Sequence, residues 1–324
     1  MSFCTKRNKF VALSLAVCSV LLQTGCAEIE FSKPPALPAD AGQGVPVLQS
    51  WQSIGGGIEG NAFTGVADVR LVNPVAVAAR GNFVYIVDSG REQLLRYEHG
   101  IERFTEVLDL RDVVSGEVSD IYLAGDLSFY LTDTLAGRVL RFDRNGVQQQ
   151  VIQDTLNLRR PVAVSVDEET GYVYIADASR DHIVVFNQLG ALLGSIGQRG
   201  RGQGTFLNIT SMAISDRGIY VGTRFDDRVQ MFHKDGTYLK SFQKNTITFP
   251  TAIAVDKDDN EYVSDYIDNT IKVYREGRLV NKIGGTGSGP SRFKRITDLW
   301  IDGGFLYVAD SLNARIQILR ISSN

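Results

Sequence analysis

The sequence predicts an all-β fold: a six-bladed β-propeller of four-stranded antiparallel blades, its ring closed by an N-terminal strand that completes the last blade. Three observations carry this. An aromatic-led strand ends the same way six times, at Tyr85-Ile-Val-Asp88, Tyr130-Leu-Thr-Asp133, Tyr174-Ile-Ala-Asp177, Tyr220-Val-Gly-Thr223, Tyr262-Val-Ser-Asp265 and Tyr307-Val-Ala-Asp310, with intervals of 45, 44, 46, 42 and 45 residues between the tyrosines. A period of about 40 to 50 residues marks a unit that cannot bury its apolar faces alone and stacks on copies of itself. These strands are apolar on both faces, as in Phe83-Val-Tyr-Ile-Val87, so each sheet needs cover on both sides. Finally, the sixth unit stops after its third strand, and a matching fourth strand stands ahead of the first unit.

The chain opens with a segment outside the repeat. Residues 1–25 hold Lys6, Arg7 and Lys9, no acidic group, and an apolar run over residues 10–22. A run of that length is too short for a membrane span, which takes roughly 17 to 25 residues, and reads as a secretory signal. Leu21-Leu22-Gln23-Thr24-Gly25-Cys26 resembles the lipobox of bacterial lipoproteins, with Gln23 standing where that motif usually has an aliphatic residue. Cys4 and Cys18 leave with the signal, so the mature chain begins at its one cysteine, Cys26, and no internal disulfide is expected. Lipid attachment at Cys26 explains that cysteine; the alternative is an ordinary cleaved signal. Ala27 after it resembles lipoproteins sorted to the outer membrane.

Residues 26–45 follow as a tether rich in Pro, Ala and Gly. Pro34, Pro35, Pro38 and Pro46 are four of the chain's eight prolines, and about 20 residues of such sequence extend up to roughly 60 Å. The chain carries a formal charge of −3; the signal contains three of its basic groups and none of its acidic ones, so the mature body is more acidic still. That balance offers no footprint for nucleic acid, and none is expected as a partner.

Within residues 46–324 each unit reads as four strands. The first is a run such as Pro74-Val-Ala-Val-Ala78, Pro161-Val-Ala-Val-Ser-Val166, Pro250-Thr-Ala-Ile-Ala-Val255 or Asp298-Leu-Trp-Ile301. A turn rich in Gly, Asp and Asn passes the chain to the tyrosine strand. The third strand ends nine residues after the signature's last position, at Tyr97, Phe142, Phe186, Phe232, Tyr274 and Leu319. A tight turn such as Asn145-Gly146 or Asp235-Gly236 starts the fourth strand, which leaves through a glycine-rich exit. Residues 51–63 repeat the exit pattern of residues 195–206 and 282–293, which places residues 47–54 as the outer strand of the last blade. Pairing the two chain ends removes an open sheet edge.

The succession of glycine-rich exit, Phe, Pro-led strand, Tyr-Val-x-Asp, short loop, Arg, Ile and aromatic resembles the NHL repeat. Tyr307-Val-Ala-Asp-Ser-Leu-Asn-Ala-Arg-Ile316 matches it best. Blade 4 departs, with Thr223 in place of Asp, and so does blade 2, whose first strand lacks the proline. The resemblance implies an envelope-anchored propeller used as a binding platform, although some relatives of the architecture are enzymes.

Motifs for catalysis are sparse. His99 and His233 fall after third strands of opposite blades, and His182 falls between second and third strands at the other end, so the three cannot share one zinc ion. Asp256, Asp258 and Asn260 alternate like the start of a calcium loop. Glu261 stands where that loop needs Gly, and the segment reads as a polar hairpin turn. No Gly-x-Ser-x-Gly elbow occurs. The segment 197–204, with Arg199 and Arg201, reads as an exit loop and not as a phosphate or RNA site. The signature aspartates are expected to accept loop N–H groups or to pair with Arg138 and Arg315, which leaves Thr223 as the exception of interest.

Binding is therefore expected at the channel mouth, where the loops between second and third strands emerge beside those between fourth and first. They carry Arg91, Glu92, Arg180, Asp181, Arg224, Phe225, Asp226, Tyr266, Asp268 and Asn313. Mixed charges among aromatics suit a protein or peptide surface. The expectation is a lipid-anchored, non-catalytic scaffold of the cell envelope, at the outer membrane, docking an envelope protein or peptide and needing no cofactor. The alternative is a divalent-metal lactonase or lyase with its site at the propeller axis, for which no residue combination stands out.

Overall fold

A computed structural model of the protein describes residues 44–61, 65–225 and 228–323. Strands β1 (Pro46–Ile54), β2 (Gly56–Asn61) and β3 (Gly65–Arg70) precede the first complete unit. Blade 1 holds β4 (Pro74–Arg80), β5 (Phe83–Asp88), β6 (Gln93–Glu98) and β7 (Arg103–Asp109). Blade 2 holds β8 (Ile121–Leu123), β9 (Phe129–Asp133), β10 (Arg138–Phe142) and β11 (Gln148–Gln153). Blade 3 runs through β12 (Pro161–Asp167), β13 (Tyr172–Asp177), β14 (His182–Phe186) and β15 (Leu192–Ile196). Blade 4 comprises β16 (Ile209–Ser215), β17 (Gly218–Thr223), β18 (Val229–Phe232) and β19 (Tyr238–Ser241). Blade 5 comprises β20 (Pro250–Val255), β21 (Asn260–Asp265), β22 (Thr270–Arg275) and β23 (Arg278–Gly284). Blade 6 has β24 (Ile296–Asp302), β25 (Phe305–Asp310) and β26 (Arg315–Ser323) from the chain's end, and β1 from its start, in the order β1-β26-β25-β24.

The ring is thus closed as the repeat count requires. β1 runs antiparallel to β26 from Pro46 opposite Ser323 to Ile54 opposite Ile316, interrupted by a bulge at Trp51. Pro46, Leu48 and Ile54 are the buried residues of this strand, Leu48 packing toward blade 5 and Ile54 toward blade 1.

Six apolar clusters make up the core, one at each interface between neighbouring blades. Tyr85 of blade 1, for example, packs with Phe129 of blade 2 at 5.6 Å between ring centres, and Phe129 stacks in turn on Phe142 at 5.2 Å. Each blade contributes alternate side chains of its strands to the cluster on either side, which is why its strands are apolar on both faces. In the exits of blades 3 and 5, Phe206 and Phe293 are buried against the glycines that precede them. A Cβ on Gly197 would lie 2.2 Å from the Phe206 ring, so only glycine fits there.

One element differs from the sequence reading. Residues 56–70 do not form a compact exit loop. They make a β2–β3 hairpin whose β2 lies parallel to β7, giving blade 1 six strands in the order β3-β2-β7-β6-β5-β4. The segment between Gly55 and Pro74 is seven residues longer than its counterparts before β16 and β24, enough for a second strand, and Val69 and Leu71 secure it in the cluster between blades 6 and 1. His182 likewise opens β14 instead of lying in the preceding loop, its Nε2 2.7 Å from the Asn157 carbonyl oxygen.

Between blades 4 and 5 one buried acid is held at a disadvantage. Burial raises the Glu261 carboxyl to about 7, opposed by Lys240, 4.0 Å away, by the Gly277 N–H and by Arg217; Asp259 and Glu276 complete the charges around it. Because the folded carboxyl binds its proton more tightly than the unfolded one, the contribution of Glu261 to stability is greatest below about pH 4.5 and falls as pH rises through 7, by up to roughly 3 kcal/mol. Glu261→Gln is expected to melt several degrees above the parent at pH 8 and close to it at pH 4.5; a gap that does not change with pH would contradict this. Deleting residues 46–54 is expected to lower the melting temperature by at least about 10 °C, measured by circular dichroism, because it opens the ring and exposes two blade faces.

Candidate functional site: the channel mouth

The mouth is built on the signature aspartates. At the end of β5, Asp88 accepts the N–H groups of Val72 and Asn73, which precede the first strand, and those of Gly90 and Arg91 in the following loop. Asp177 does the same for Arg159, Arg160, Ser179 and Arg180, and Asp265 for Thr248, Phe249 and Ile267, with Lys272 as its ion-pair partner. Asp133 pairs with Arg138 and Asp310 with Arg315, at 2.8 and 2.9 Å, as the sequence led us to expect. Each carboxylate therefore fixes the two loops of its blade that face the mouth. The Asp256 turn is of the same kind: its carboxylate accepts from Asp258, Asn260 and Tyr262.

Blade 4 achieves this with a residue of its neighbour. Thr223 is buried and donates its hydroxyl to the Phe225 carbonyl at 3.0 Å, while Asp181 of blade 3 accepts the Ile209 N–H at 3.0 Å and pairs with Arg199 at 2.8 Å. Asp181 is 1% exposed, so it anchors the loop and does not present a carboxylate to the mouth.

Of the other sequence candidates, Arg224 and Tyr266 line a cavity of about 470 Å³ at the mouth, and Phe225 stands beside them under the Arg224 guanidinium. Arg224 also lies 4.9 Å over the ring of Phe249, which is tilted against Tyr266 at 5.4 Å. Arg91 is turned to Gln93 and Asn313 to Asp310 and the Gly287 carbonyl, away from this cavity. Arg180 is exposed but not part of its wall. Burial acts against ionisation of Asp268, yet the Thr270 hydroxyl with Lys272 and Lys282 holds its carboxyl below the ordinary range. Asp226 and Cys26 lie outside the described residues.

The residues that reading the loops missed are Arg160, Arg295, Asp120 and Asp298, all in the cavity wall. Both arginines stand immediately before a first strand. Asp120 and Asp298 occupy the inner-strand position that the other blades fill with Ala76, Ala163, Ser211 and Ala252, and an alignment of the repeats against one another would have exposed the substitution. Asp298 accepts the Val77 N–H of blade 1 at 2.8 Å, and Asp120 the Val164 N–H of blade 3 at the same distance, so each also clasps the next blade. Burial pushes Asp298 up to about 7; for Asp120, burial and then the nearby Asp298 charge raise it well above the carboxylate range.

At the opposite end of the axis, Arg80 reaches the Leu123 carbonyl and Glu168, Tyr122 donates to Glu168, and Trp300 donates to the Ala79 carbonyl. Four blades are cross-braced there. Among the described residues no group of three or more His, Cys, Asp or Glu is arranged to hold a metal ion.

These features define a closed repeat propeller with a polar, arginine-rimmed cavity at one mouth. It is the NHL-like architecture expected from the sequence. Residues 75–92 and 295–322 match the LVIVD repeat. A Bacteroides thetaiotaomicron protein of unknown function is similar over 86% of this chain and 76% of its own, with a TM-score of 0.66 and 16% identity. The virginiamycin B lyase of Staphylococcus aureus is similar over 77% of this chain and 95% of its own, with a TM-score of 0.58 and 13% identity. At such identities the likeness is one of fold. No curated protein matches the sequence.

Asp181→Ala is expected to cost about 1–3 kcal/mol by leaving the Ile209 N–H without its acceptor and Arg199 without its ion-pair partner, a drop of roughly 2–10 °C in melting temperature. Its neighbour Arg180→Ala should stay within about 0.5 kcal/mol of the parent. Equal effects in the two thermal scans would remove the anchoring role.

Proposed function

We propose that the protein is a lipid-anchored, non-catalytic binding scaffold of the bacterial envelope, tethered through Cys26, whose protein or peptide partner docks on the mouth face. The observation that carries this reading is a repeated one. In four blades the second residue after the signature is a large apolar side chain left in solvent: Leu135 at 68% exposure, Phe225 at 46%, Ile267 at 60% and Leu312 at 61%. Nothing in the blade requires them, since Gly90 and Ser179 hold the same place in blades 1 and 3. Apolar groups recurring in one register around one face form a surface suited to burial against another macromolecule.

The tether's point of departure agrees. Pro46 lies at the end of β1 away from the mouth, paired with the last strand's far end, and the Gly44 carbonyl accepts from Arg275 beside the turn between β22 and β23. A chain leaving there toward a membrane presents the mouth face outward. The metal-dependent lactonase or lyase finds no support at the axis, where Asp120 and Asp298 are each already engaged by two backbone N–H groups.

Photo-crosslinking in the native host tests the reading. A crosslinker at Leu312 should capture one discrete envelope protein, and one at Leu189, exposed in a turn of the opposite face, should not. Joint Leu135→Asp, Ile267→Asp and Leu312→Asp substitution should abolish capture from Phe225. Equal capture from both faces, or capture indifferent to the three changes, would refute the docking face.

A further inference from the structure

Among the described residues six arginines are paired with carboxylates: Arg80 with Glu168, Arg111 with Asp109, Arg138 with Asp133, Arg199 with Asp181, Arg217 with Asp259 and Arg315 with Asp310. Arg160, Arg224 and Arg295 are different. They come from blades 3, 4 and 6, all three are exposed, and all three line the same mouth cavity. Among the described residues none of them has a carboxylate within ion-pair distance. Three uncompensated cations converging in an acidic protein are costly to hold together, and the shared cavity is where an anion would relieve that cost.

The wall below them is shaped for more than a counter-ion. Ser211, 6% exposed, contributes a hydroxyl that has no hydrogen-bond partner, although buried hydroxyls in folded proteins are ordinarily satisfied. The Arg224 guanidinium carbon lies 4.9 Å from the centre of the Phe249 ring, a cation–π contact that leaves its N–H groups for an acceptor. A guanidinium edge matches the two oxygens of a carboxylate in a forked pair. Beneath, Asp120 and Asp298, whose carboxyls burial holds toward the neutral form, add little negative charge against an anion. A volume of about 470 Å³ admits a side chain or a chain end with its flanking residues.

We propose that the channel mouth is a carboxylate receptor: Arg160, Arg224 and Arg295 receive an acidic side chain or the terminal carboxylate of the docked partner, with the Ser211 hydroxyl donating to it. This rests on the docking face proposed above and specifies what the partner inserts at its centre. The apolar ring at Leu135, Phe225, Ile267 and Leu312 supplies burial, and the arginines supply the choice of an acidic residue over a basic one.

The full chain is titrated with three fluorescein-labelled probes: an amidated Gly-Glu-Glu-Gly peptide, a Gly-Ala-Ala peptide with a free carboxylate end, and an amidated Gly-Lys-Lys-Gly peptide. The expected result is saturable anisotropy with at least one carboxylate probe and none with the lysine probe. Binding should weaken with added salt and fall at least tenfold in Arg160→Gln/Arg295→Gln and in Arg224→Gln. Lys257→Gln, on an exposed turn at the other face, leaves it unchanged. Which carboxylate probe binds identifies the source, side chain or chain end. The inference is overturned if neither carboxylate probe binds, if the lysine probe binds as well, if the arginine variants bind like the parent, or if inorganic phosphate displaces the probe more effectively than acetate. Because the three arginines are exposed, the variants should keep the parent melting temperature, and the single Arg224→Gln change serves if the double variant does not. Crosslinking from Leu312 that persists in the arginine variants, together with failed peptide binding, would discard the receptor and leave the docking face standing; loss of face-specific crosslinking with intact arginine-dependent peptide binding would do the reverse.

Discussion

Every blade of this protein is apolar on both of its faces, and that single constraint dictates the rest. A four-stranded sheet of this kind cannot lie on one core; it must be sandwiched, and a row of sandwiched sheets has two exposed ends unless it bends into a ring. The six clusters between neighbouring blades are therefore one continuous structure. Closure by β1 follows from the same need, since the sixth blade would otherwise offer an open edge on β26.

Burial leaves polar work undone at the mouth, where short loops turn sharply and their N–H groups face inward. The signature carboxylate meets it blade by blade, with four acceptors' worth of lone pairs at one point. Where blade 4 has Thr223, Asp181 takes over from the adjacent blade. Loops so held need no apolar anchor of their own, and their outward positions are free to vary. Large apolar residues can then stand in solvent at Leu135, Phe225, Ile267 and Leu312 without a structural duty.

The architecture was legible because its signals recur. A tyrosine at a fixed interval and a strand displaced to the chain's start each appear against several copies of the same pattern. The β2–β3 hairpin was not legible, because its glycines and its position imitate the exit loops of blades 3 and 5 while only its extra length tells it apart. At the site, Arg224 and Tyr266 were found since they sit in loops that plainly open on the mouth. Asp181 and Asn313 occupy similar loops but point into them, as a short loop must spend some of its polar side chains on its own backbone. Asp298, inside β24, and Asp120, just ahead of β8, escaped notice because a polar residue at that register position carries meaning only beside the alanines and serine of its sister blades.

The seam between β1 and β26 has one more property. Its two strands are antiparallel, and the chain enters β1 at Pro46, at the end away from the mouth. Load applied through that chain and resisted by something held at the mouth runs lengthwise along the strands. It strains the whole ladder of hydrogen bonds at once, as a lap joint is strained in shear, and does not peel the bonds apart one by one. A ring sealed by its first strand is sealed where a pull on the start of the propeller would arrive, in the direction in which a β-ladder resists most.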